Sequence, residues 1–183
     1  MIYFSSDLHL NHCQPFIYKP RGFINIDEMN KTIINNFNKV ITPDDDLYLL
    51  GDTFLGELKP GIQLFKKLPG KIHLIWGNHD TDNRKNTVLN CHNVIEIIGY
   101  AGIIKYNKYH FYMSHFPTYT TNFDDYKKPL KQRILCLAGH THSKELFEPC
   151  GSYNVAVDAH NCFPVSIDKI IDDFNNWTKL NNL

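Results

Sequence analysis

The 183-residue sequence has no net charge and no long apolar segment. Its 19 basic and 19 acidic residues balance, so its overall charge attracts neither nucleic acid nor a membrane surface. No apolar run approaches the roughly 20 residues that a bilayer-spanning helix needs. The chain does not open with a basic segment followed by an apolar stretch, which argues against a secretory signal. We therefore expect a cytoplasmic protein without a membrane partner, in which residues 1–183 form a single domain.

The five cysteines give no sign of a disulfide framework. Their number is odd and no two of them stand at C-x-x-C spacing, so a zinc ribbon is not indicated either. Cys136 lies in the apolar run 134–138 and is expected to be a small buried side chain.

Asp, His and Asn instead concentrate in five short segments. Four segments directly follow a run rich in apolar β-forming residues, and the other, Gly51-Asp52, does so if residues 47–50 form a strand. α/β proteins place their chemistry at strand ends, and these residue types offer oxygen and imidazole ligands to divalent metals. The segments together predict a two-metal hydrolytic site. In chain order they are Asp7-Leu8-His9, Gly51-Asp52, Gly77-Asn78-His79-Asp80, Ser114-His115 and Gly139-His140-Thr141-His142.

The spacing within these segments suits a shared metal. In an extended backbone, residues i and i+2 point to the same side, so Asp7 with His9, and His140 with His142, can face one cation. The glycines at positions 51, 77 and 139 fit sites where the backbone turns sharply or comes close to a ligand.

The two central segments supply residues for catalysis. Asp52 is the sole carboxylate of its segment, which makes it the natural bridge between two ions. Asn78 is a neutral oxygen ligand and limits negative charge at the site. His79 can reach a leaving-group oxygen as general acid, and Asp80 can orient that imidazole and favour its protonated form.

Predicted helices follow the early strands and the later strands follow one another, and this order predicts a layered α/β fold with a mixed sheet or two packed sheets. We expect a helix over Glu28–Val40 with Asp27 as its N-cap, a short helix over Gly61–Leu68, and a closing helix that opens at Ser166. Residues 118–131 are expected to be a loop or a poorly formed helix, and Asn107-Lys108 a tight turn. The predicted strands cover residues 1–5, 47–50, 71–76, 94–98, 103–106, 110–113, 134–138 and 153–157.

The series D-x-H, G-D, G-N-H-D, H and G-H-x-H, in this order, resembles the calcineurin-like metallophosphoesterase superfamily and spans Asp7 to His142. The opening segment Met1–His9 and the late segments Asn154–Asp158 and Pro164–Ser166 are similar to its small prokaryotic and phage-type members. The resemblance implies a four-layer α/β/β/α sandwich with two mixed β-sheets. It also implies two divalent metal ions at one edge, for which manganese, iron, zinc, cobalt and nickel all suit the ligands.

The resemblance further implies a phosphoesterase in which a hydroxide bridging the ions attacks phosphorus. A phosphodiesterase is favoured over a phosphomonoesterase, with a small phosphorylated substrate. The segment Gly51–Glu57 lacks the arginine that protein phosphatases of this superfamily carry shortly after G-D, which argues against that branch. The implied roles are Asp7, His9 and His142 on one ion, Asn78, His115 and His140 on the other, Asp52 as the bridge and His79 as the acid.

Two alternative functions stay open. A nuclease or nucleotide phosphohydrolase would use the same site, although basic residues cluster only at Lys127-Lys128 and Lys131–Arg133. A non-catalytic metal-binding scaffold would be expected to have lost ligands or the acid, and none is lost here. The sequence leaves the oligomeric state open.

Three further residues have alternative readings. His12 either contacts a substrate phosphate or sits on a loop. Arg21 either binds a phosphate through its bidentate fork or, as the sequence favours, is a solvated loop arginine. His160 is expected at the surface, with a substrate contact as the weaker alternative.

Overall fold

The computed structural model describes residues 1–120, 125 and 127–180. Within these residues the chain forms five α-helices, a 3₁₀-helix at Leu130–Gln132 and nine β-strands. The helices are α1 (Pro15–Tyr18), α2 (Ile26–Val40), α3 (Leu58–Phe65), α4 (Asp82–Val88) and α5 (Ile167–Leu180). The strands are β1 (Ile2–Ser5), β2 (Asp46–Leu50), β3 (Lys71–Ile75), β4 (Val94–Gly99), β5 (Ala101–Tyr106), β6 (Tyr109–Ser114), β7 (Ile134–Ala138), β8 (Tyr153–Asn154) and β9 (Val165–Ser166).

The strands form two mixed sheets. The first has the order β4-β3-β2-β1-β9, in which β1 to β4 are parallel and β9 is antiparallel to β1. The second has the order β5-β6-β7-β8, in which β5 is antiparallel to β6 and the other pairs are parallel. The predicted α/β fold with two mixed sheets is therefore confirmed.

Alternating side chains of the first sheet enter two different cores. On β2, Leu47 and Leu49 belong to a cluster with the apolar stripe of α2, whereas Leu50 belongs to a cluster with the second sheet and α5. This alternation follows from the two-residue period of a strand, and fully burying a side chain of this size stabilises the fold by about 1.5–3 kcal/mol. The first sheet is thus apolar on both faces, which fixes its register.

The bounds of two predicted helices are corrected. Asn25 rather than Asp27 caps α2, because its side chain accepts a hydrogen bond from the Glu28 N–H at 2.9 Å. Asp27 lies in the first turn, where a carboxylate favours the positive end of the helix dipole. Helix α3 covers Leu58–Phe65 instead of 61–68, since Pro60 fits the first turn, where its missing N–H costs no hydrogen bond.

The remaining predictions are refined along the chain. The strand predicted over 153–157 is limited to Tyr153–Asn154, although Ala156 still bridges to Ser6. Ser166 ends β9 and the closing helix begins at the next residue. The tight turn is confirmed, since Asn107 and Lys108 both have positive φ. Within the predicted loop 118–131, residues 121–124 and 126 lie outside the described residues.

Candidate metal centre

The predicted polar segments meet at one edge of the two sheets. They follow β1, β2 and β3 in the first sheet, and β6 and β7 in the second. The carboxyl ends of parallel strands lie at the same edge, so side chains distant in sequence become neighbours there. A cavity of about 580 Å³ opens at this edge, and Asp52, Asn78, His140 and His142 contribute to its lining.

The first group of potential ligands consists of Asp7, His9 and His142. One donor atom from each lies within 4.8 Å of the others. The Asp7 Oδ1 atom is 3.9 Å from the Nε2 atoms of both His9 and His142. Asp7 Oδ2 accepts a hydrogen bond from the His140 N–H at 2.8 Å, which fixes the carboxylate.

The buried polar atoms of this group fit a cation. Asp7 is fully buried and His9 is 1 % exposed. Among the described residues, Asp7 Oδ1 and both ring nitrogens of His9 have no hydrogen-bond partner. Buried polar atoms are nearly always paired, so a cluster that holds an unpaired carboxylate oxygen and an unpaired imidazole lone pair indicates a cation site.

The second group consists of Asn78, His115 and His140. Asn78 Oδ1 lies 2.8 Å from His115 Nε2 and 3.1 Å from His140 Nδ1, and the two ring nitrogens are 3.2 Å apart. The His115 Nδ1–H donates to the Leu50 carbonyl at 2.8 Å, because a carbonyl oxygen can only accept. The Nε2 lone pair of His115 is therefore directed at the group.

Asp52 lies between the two groups. Its Oδ2 atom is 3.8 Å from His9 Nε2 and 3.5 Å from His115 Nε2. Its Oδ1 atom accepts a hydrogen bond from the His79 N–H at 2.9 Å. A single carboxylate therefore faces both groups. Asp7, Asp52 and His115 form a further set whose donor atoms lie within 4.8 Å of one another, so the two groups form one centre.

Comparison with known proteins identifies the family of this centre. The model of the family described as calcineurin-like phosphoesterase matches residues 1–178. The chain belongs to the calcineurin-like phosphoesterase family. It is therefore a hydrolase of phosphate esters and, like its family, depends on divalent metal ions.

Relatives of the phosphoesterase come from archaea, bacteria and a phage. It is 36 % identical over 180 residues to uncharacterized protein MJ1445 of Methanocaldococcus jannaschii, in a match that covers 93 % of this chain and 89 % of that protein. It is 31 % identical over 88 residues, or 46 % of the chain, to the gene 66 protein of Mycobacterium phage L5, of which the match covers 42 %.

Two solved structures resemble the phosphoesterase. A protein of unknown function from Aquifex aeolicus, AQ665, has a TM-score of 0.72 and 25 % identity, and the match covers 95 % of this chain and 98 % of that one. A protein described as a novel archaeal phosphodiesterase has a TM-score of 0.51 and 18 % identity, with 85 % of this chain and 81 % of that chain covered. At 18 % identity, the similarity to the archaeal phosphodiesterase shows a shared fold alone.

The structure corrects the expectation that Arg21 of the phosphoesterase is a solvated loop arginine. Its side chain is 2 % exposed, so it is not a solvated loop arginine. It donates to both carboxylate oxygens of Asp158, at 2.9 and 2.8 Å, and to the carbonyls of Asp7 and Leu8 at 2.8 and 3.2 Å. These partners leave the guanidinium committed to the protein, and the structure gives no support to a phosphate contact.

Asp158 connects Arg21 to the centre, a role that sequence reasoning missed. Its Oδ2 atom lies 3.1 Å from His142 Nδ1, so it orients the imidazole with Nε2 toward Asp7. Burial alone would raise the pKa of Asp158, but hydrogen bonds from His142 and Arg21 hold it below its ordinary value. The only sequence signal was its position in the late segment that resembles the family.

The backbone of the phosphoesterase is left-handed at five of the predicted ligands. This corrects the extended geometry expected for the i, i+2 pairs. Non-glycine residues in this region cost of order 1–3 kcal/mol each and concentrate at functional sites. The sharp local turns, and not a continued strand, bring these side chains together. The five residues are Asp7, His9, Asp52, His140 and His142.

Close packing explains the glycines at this edge. Gly51 has φ +89°, and a Cβ there would lie 2.5 Å from the Gly77 nitrogen and 2.7 Å from His115 Nδ1. A Cβ on Gly77 would collide with the Asp52 carboxylate, and one on Gly139 with the side chains of Ser6 and Asp7. The predicted close approach is confirmed at all three positions.

Burial sets the protonation of the centre. It raises the pKa of Asp7 above its ordinary value, and it holds the pKa of His9 below its ordinary value, with the neighbouring His142 and Arg21 adding to the effect. Burial and the neighbouring His115 also lower the pKa of His140. These two imidazoles are therefore neutral near pH 7, the form that binds a metal ion.

His79 and Asp80 occupy different positions from those expected of a proton-donor pair. His79 is exposed and lines the cavity, with its ring centroid 5.7 Å from that of His9. Asp80 is buried, and its Oδ2 atom accepts hydrogen bonds from the N–H groups of Gly77 at 2.7 Å and Asp52 at 3.1 Å. Across the described chain, the His79 ring is not among its partners. Asp80 therefore ties two loops together, and the prediction that it orients His79 is wrong.

The last two candidates lie in different places. His12 lines the cavity, and its ring centroid is 5.3 Å from that of His9. His160 donates from Nε2 to the Asn154 carbonyl at 2.8 Å and does not line the cavity. Burial lowers the pKa of His160, which is half-buried, so the expectation of a surface residue is corrected.

Within the described ranges, no helix is both long and apolar enough to span a bilayer.

Proposed function

We propose that this phosphoesterase holds two divalent ions and hydrolyses small phosphodiesters in preference to phosphomonoesters. Asp7, His9 and His142 would bind one ion, Asn78, His115 and His140 the other, and Asp52 both. The observation that carries the proposal is that Asp52 Oδ2 faces His9 at 3.8 Å and His115 at 3.5 Å, one residue from each group.

The chain supplies the positioning and a proton donor. Bound divalent ions would activate a water and neutralise the phosphoryl oxygens. His115 and His142 are held by the Leu50 carbonyl and by Asp158, so both imidazoles are oriented before any ion arrives. The His79 ring lies at the cavity surface, where its side chain can donate a proton to the oxygen of a departing alcohol.

The preference for diesters rests on the cavity. The cavity extends over about 580 Å³ beside the centre, which leaves space for organic groups on phosphorus. His79 would serve either kind of ester, because a proton from an imidazole assists a poor leaving group such as an alkoxide more than it assists an acidic phenol.

The test is a metal-reconstitution assay. Metal-stripped protein is loaded with manganese, iron, zinc, cobalt or nickel in turn, and hydrolysis of bis(4-nitrophenyl) phosphate is compared with that of 4-nitrophenyl phosphate. We expect metal-dependent turnover that is faster on the diester and is lost in Asp52→Asn. Asp82→Asn is the matched control, because that side chain is 95 % exposed.

The results separate the parts of the proposal. Full activity without metal, or in Asp52→Asn, would show that the assigned centre does not carry the reaction. Faster turnover of the monoester would overturn the diester preference and leave the metal centre intact.

A further inference from the structure

The cavity beside the centre has a second, apolar side. The centre contributes histidines, Asp52 and Asn78 to the lining, whereas the apolar part comes from α1 and two loop residues. The apolar residues are Phe16, Ile17, Pro20 and Leu55. Nothing in the metal centre requires this apolar wall, so it calls for a separate role.

The size of the cavity points to an organic group. Its volume of about 580 Å³ lies within the range of about 300–1,000 Å³ that is typical of sites for drug-sized ligands. A phosphate group placed on the centre would occupy only a part of this space, and the rest is bounded by the apolar wall.

Phe16 is the most exposed large apolar residue of the wall. It is 68 % exposed and stands edge-on to His12, with ring centroids 5.6 Å apart and an interplanar angle of 88°. The neighbouring Ile17 is only 6 % exposed and belongs to the core beneath α1. The helix is therefore anchored from below, and it presents an aromatic ring to the cavity.

The geometry points to a subsite for a planar aromatic ester group, aryl or nucleoside, which packs on Phe16 while the phosphate lies on the centre. This inference rests on the proposed function. Aromatic rings prefer offset or edge-to-face partners, and a flat ligand group loses little conformational freedom on binding. Lys144 also lines the cavity and adds positive charge for an anionic ester.

The test compares two phosphinates that cannot be hydrolysed, dimethylphosphinate and methyl(phenyl)phosphinate. Both carry one negative charge like a phosphodiester, and they differ by one ring. Binding to the metal-loaded protein is measured by calorimetry and by inhibition of bis(4-nitrophenyl) phosphate hydrolysis. We expect the phenyl compound to bind about fivefold to tenfold more tightly.

Variants locate the preference. Phe16→Ala should abolish the preference for methyl(phenyl)phosphinate without changing the affinity for dimethylphosphinate. Phe16→Tyr, which keeps the ring, should retain that preference. Tyr100→Ala is the matched control, because Tyr100 is also 68 % exposed but does not line the cavity. These exposed positions tolerate substitution without loss of the fold.

The outcomes distinguish failure of the aromatic subsite from failure of the proposed function. Equal binding of the two phosphinates, or a phenyl preference that persists in Phe16→Ala, overturns the subsite. If dimethylphosphinate binds and hydrolysis is metal-dependent, that failure concerns the subsite alone. If neither phosphinate binds and no hydrolysis occurs, the proposed function fails together with the subsite.

Discussion

Asp7→Asn should stabilise the metal-free protein while it removes the response to metal. Asp7 is fully buried, and within the described chain its Oδ1 atom has no hydrogen-bond partner. Burial raises the pKa of this carboxyl, because a charge is less favourable in the interior than in water. Asparagine keeps the shape, keeps an acceptor for the His140 N–H and removes the charge.

The magnitude follows from the contacts of Asp7. A buried group without a partner costs more when it is charged than when it is neutral, so replacing the carboxylate by a neutral amide should gain about 1–3 kcal/mol. For a chain of 183 residues, each kcal/mol shifts the melting temperature by about 2–4 °C, which gives a rise of about 2–12 °C in metal-free protein. In the wild type, a metal at 100 times its dissociation constant adds about 2.7 kcal/mol, or about 5–11 °C.

Thermal melting at pH 8 with chelator and with manganese measures both effects. Asp158→Asn is the contrasting variant, because it removes the charge that pairs with the buried Arg21 and should lower the melting temperature in chelator. The reasoning is refuted if Asp7→Asn melts below the wild type in chelator, or if manganese still raises its melting temperature by the wild-type amount.

Four further outcomes are expected. His79→Ala should lower kcat on an alkyl diester by about 10²- to 10⁴-fold with unchanged metal affinity in calorimetry, because the His79 main chain, and not its ring, bonds Asp52. Gly51→Ala should cost at least about 2 kcal/mol in urea unfolding, and more than Gly22→Ala, which has a similar φ of +87° but open space around it. The hydrogen bond to Asp158 raises the pKa of His142 above its ordinary value of 6.5, and the His142 imidazole must lose its proton before it binds a metal. Metal affinity should therefore rise with pH above 6.5, and Asp158→Asn should move this rise to lower pH. The metal-free wild type should correspondingly lose stability as the pH rises through that raised pKa.

The metal-binding segments could be predicted because their information is local. Each places its ligand types directly after an apolar strand, and parallel strands bring such ends to one edge whatever lies between them. Asp7 and His140 are 133 positions apart and lie together as expected. The His140 N–H donates a hydrogen bond of 2.8 Å to the Asp7 carboxylate. Runs of apolar β-forming residues indicated most strand positions in the same way.

The supporting contacts could not be predicted, because they join residues without a local pattern. Arg21 and Asp158 are 137 positions apart, and a loop arginine is ordinarily solvated. Asp80 follows a histidine directly, which suggested that it orients that ring, but the turn directs its carboxylate to two main-chain N–H groups instead. The short α1 and α4 contain too few turns for a helical period to show.

The features of the metal centre have one property in common, since each destabilises the folded protein when no metal is bound. Within the described residues, an unpaired carboxylate oxygen on buried Asp7, two unpaired nitrogens on His9 and left-handed backbone at five polar residues all raise the free energy of the metal-free state. Cations that bind between these groups would compensate that free energy, and this coupling gives Asp7→Asn opposite effects with and without metal. The Arg21–Asp158 pair has the opposite character, because each charge satisfies the other. The stability of the metal-free fold therefore depends on that pair, and metal affinity depends on groups that the fold leaves unsatisfied.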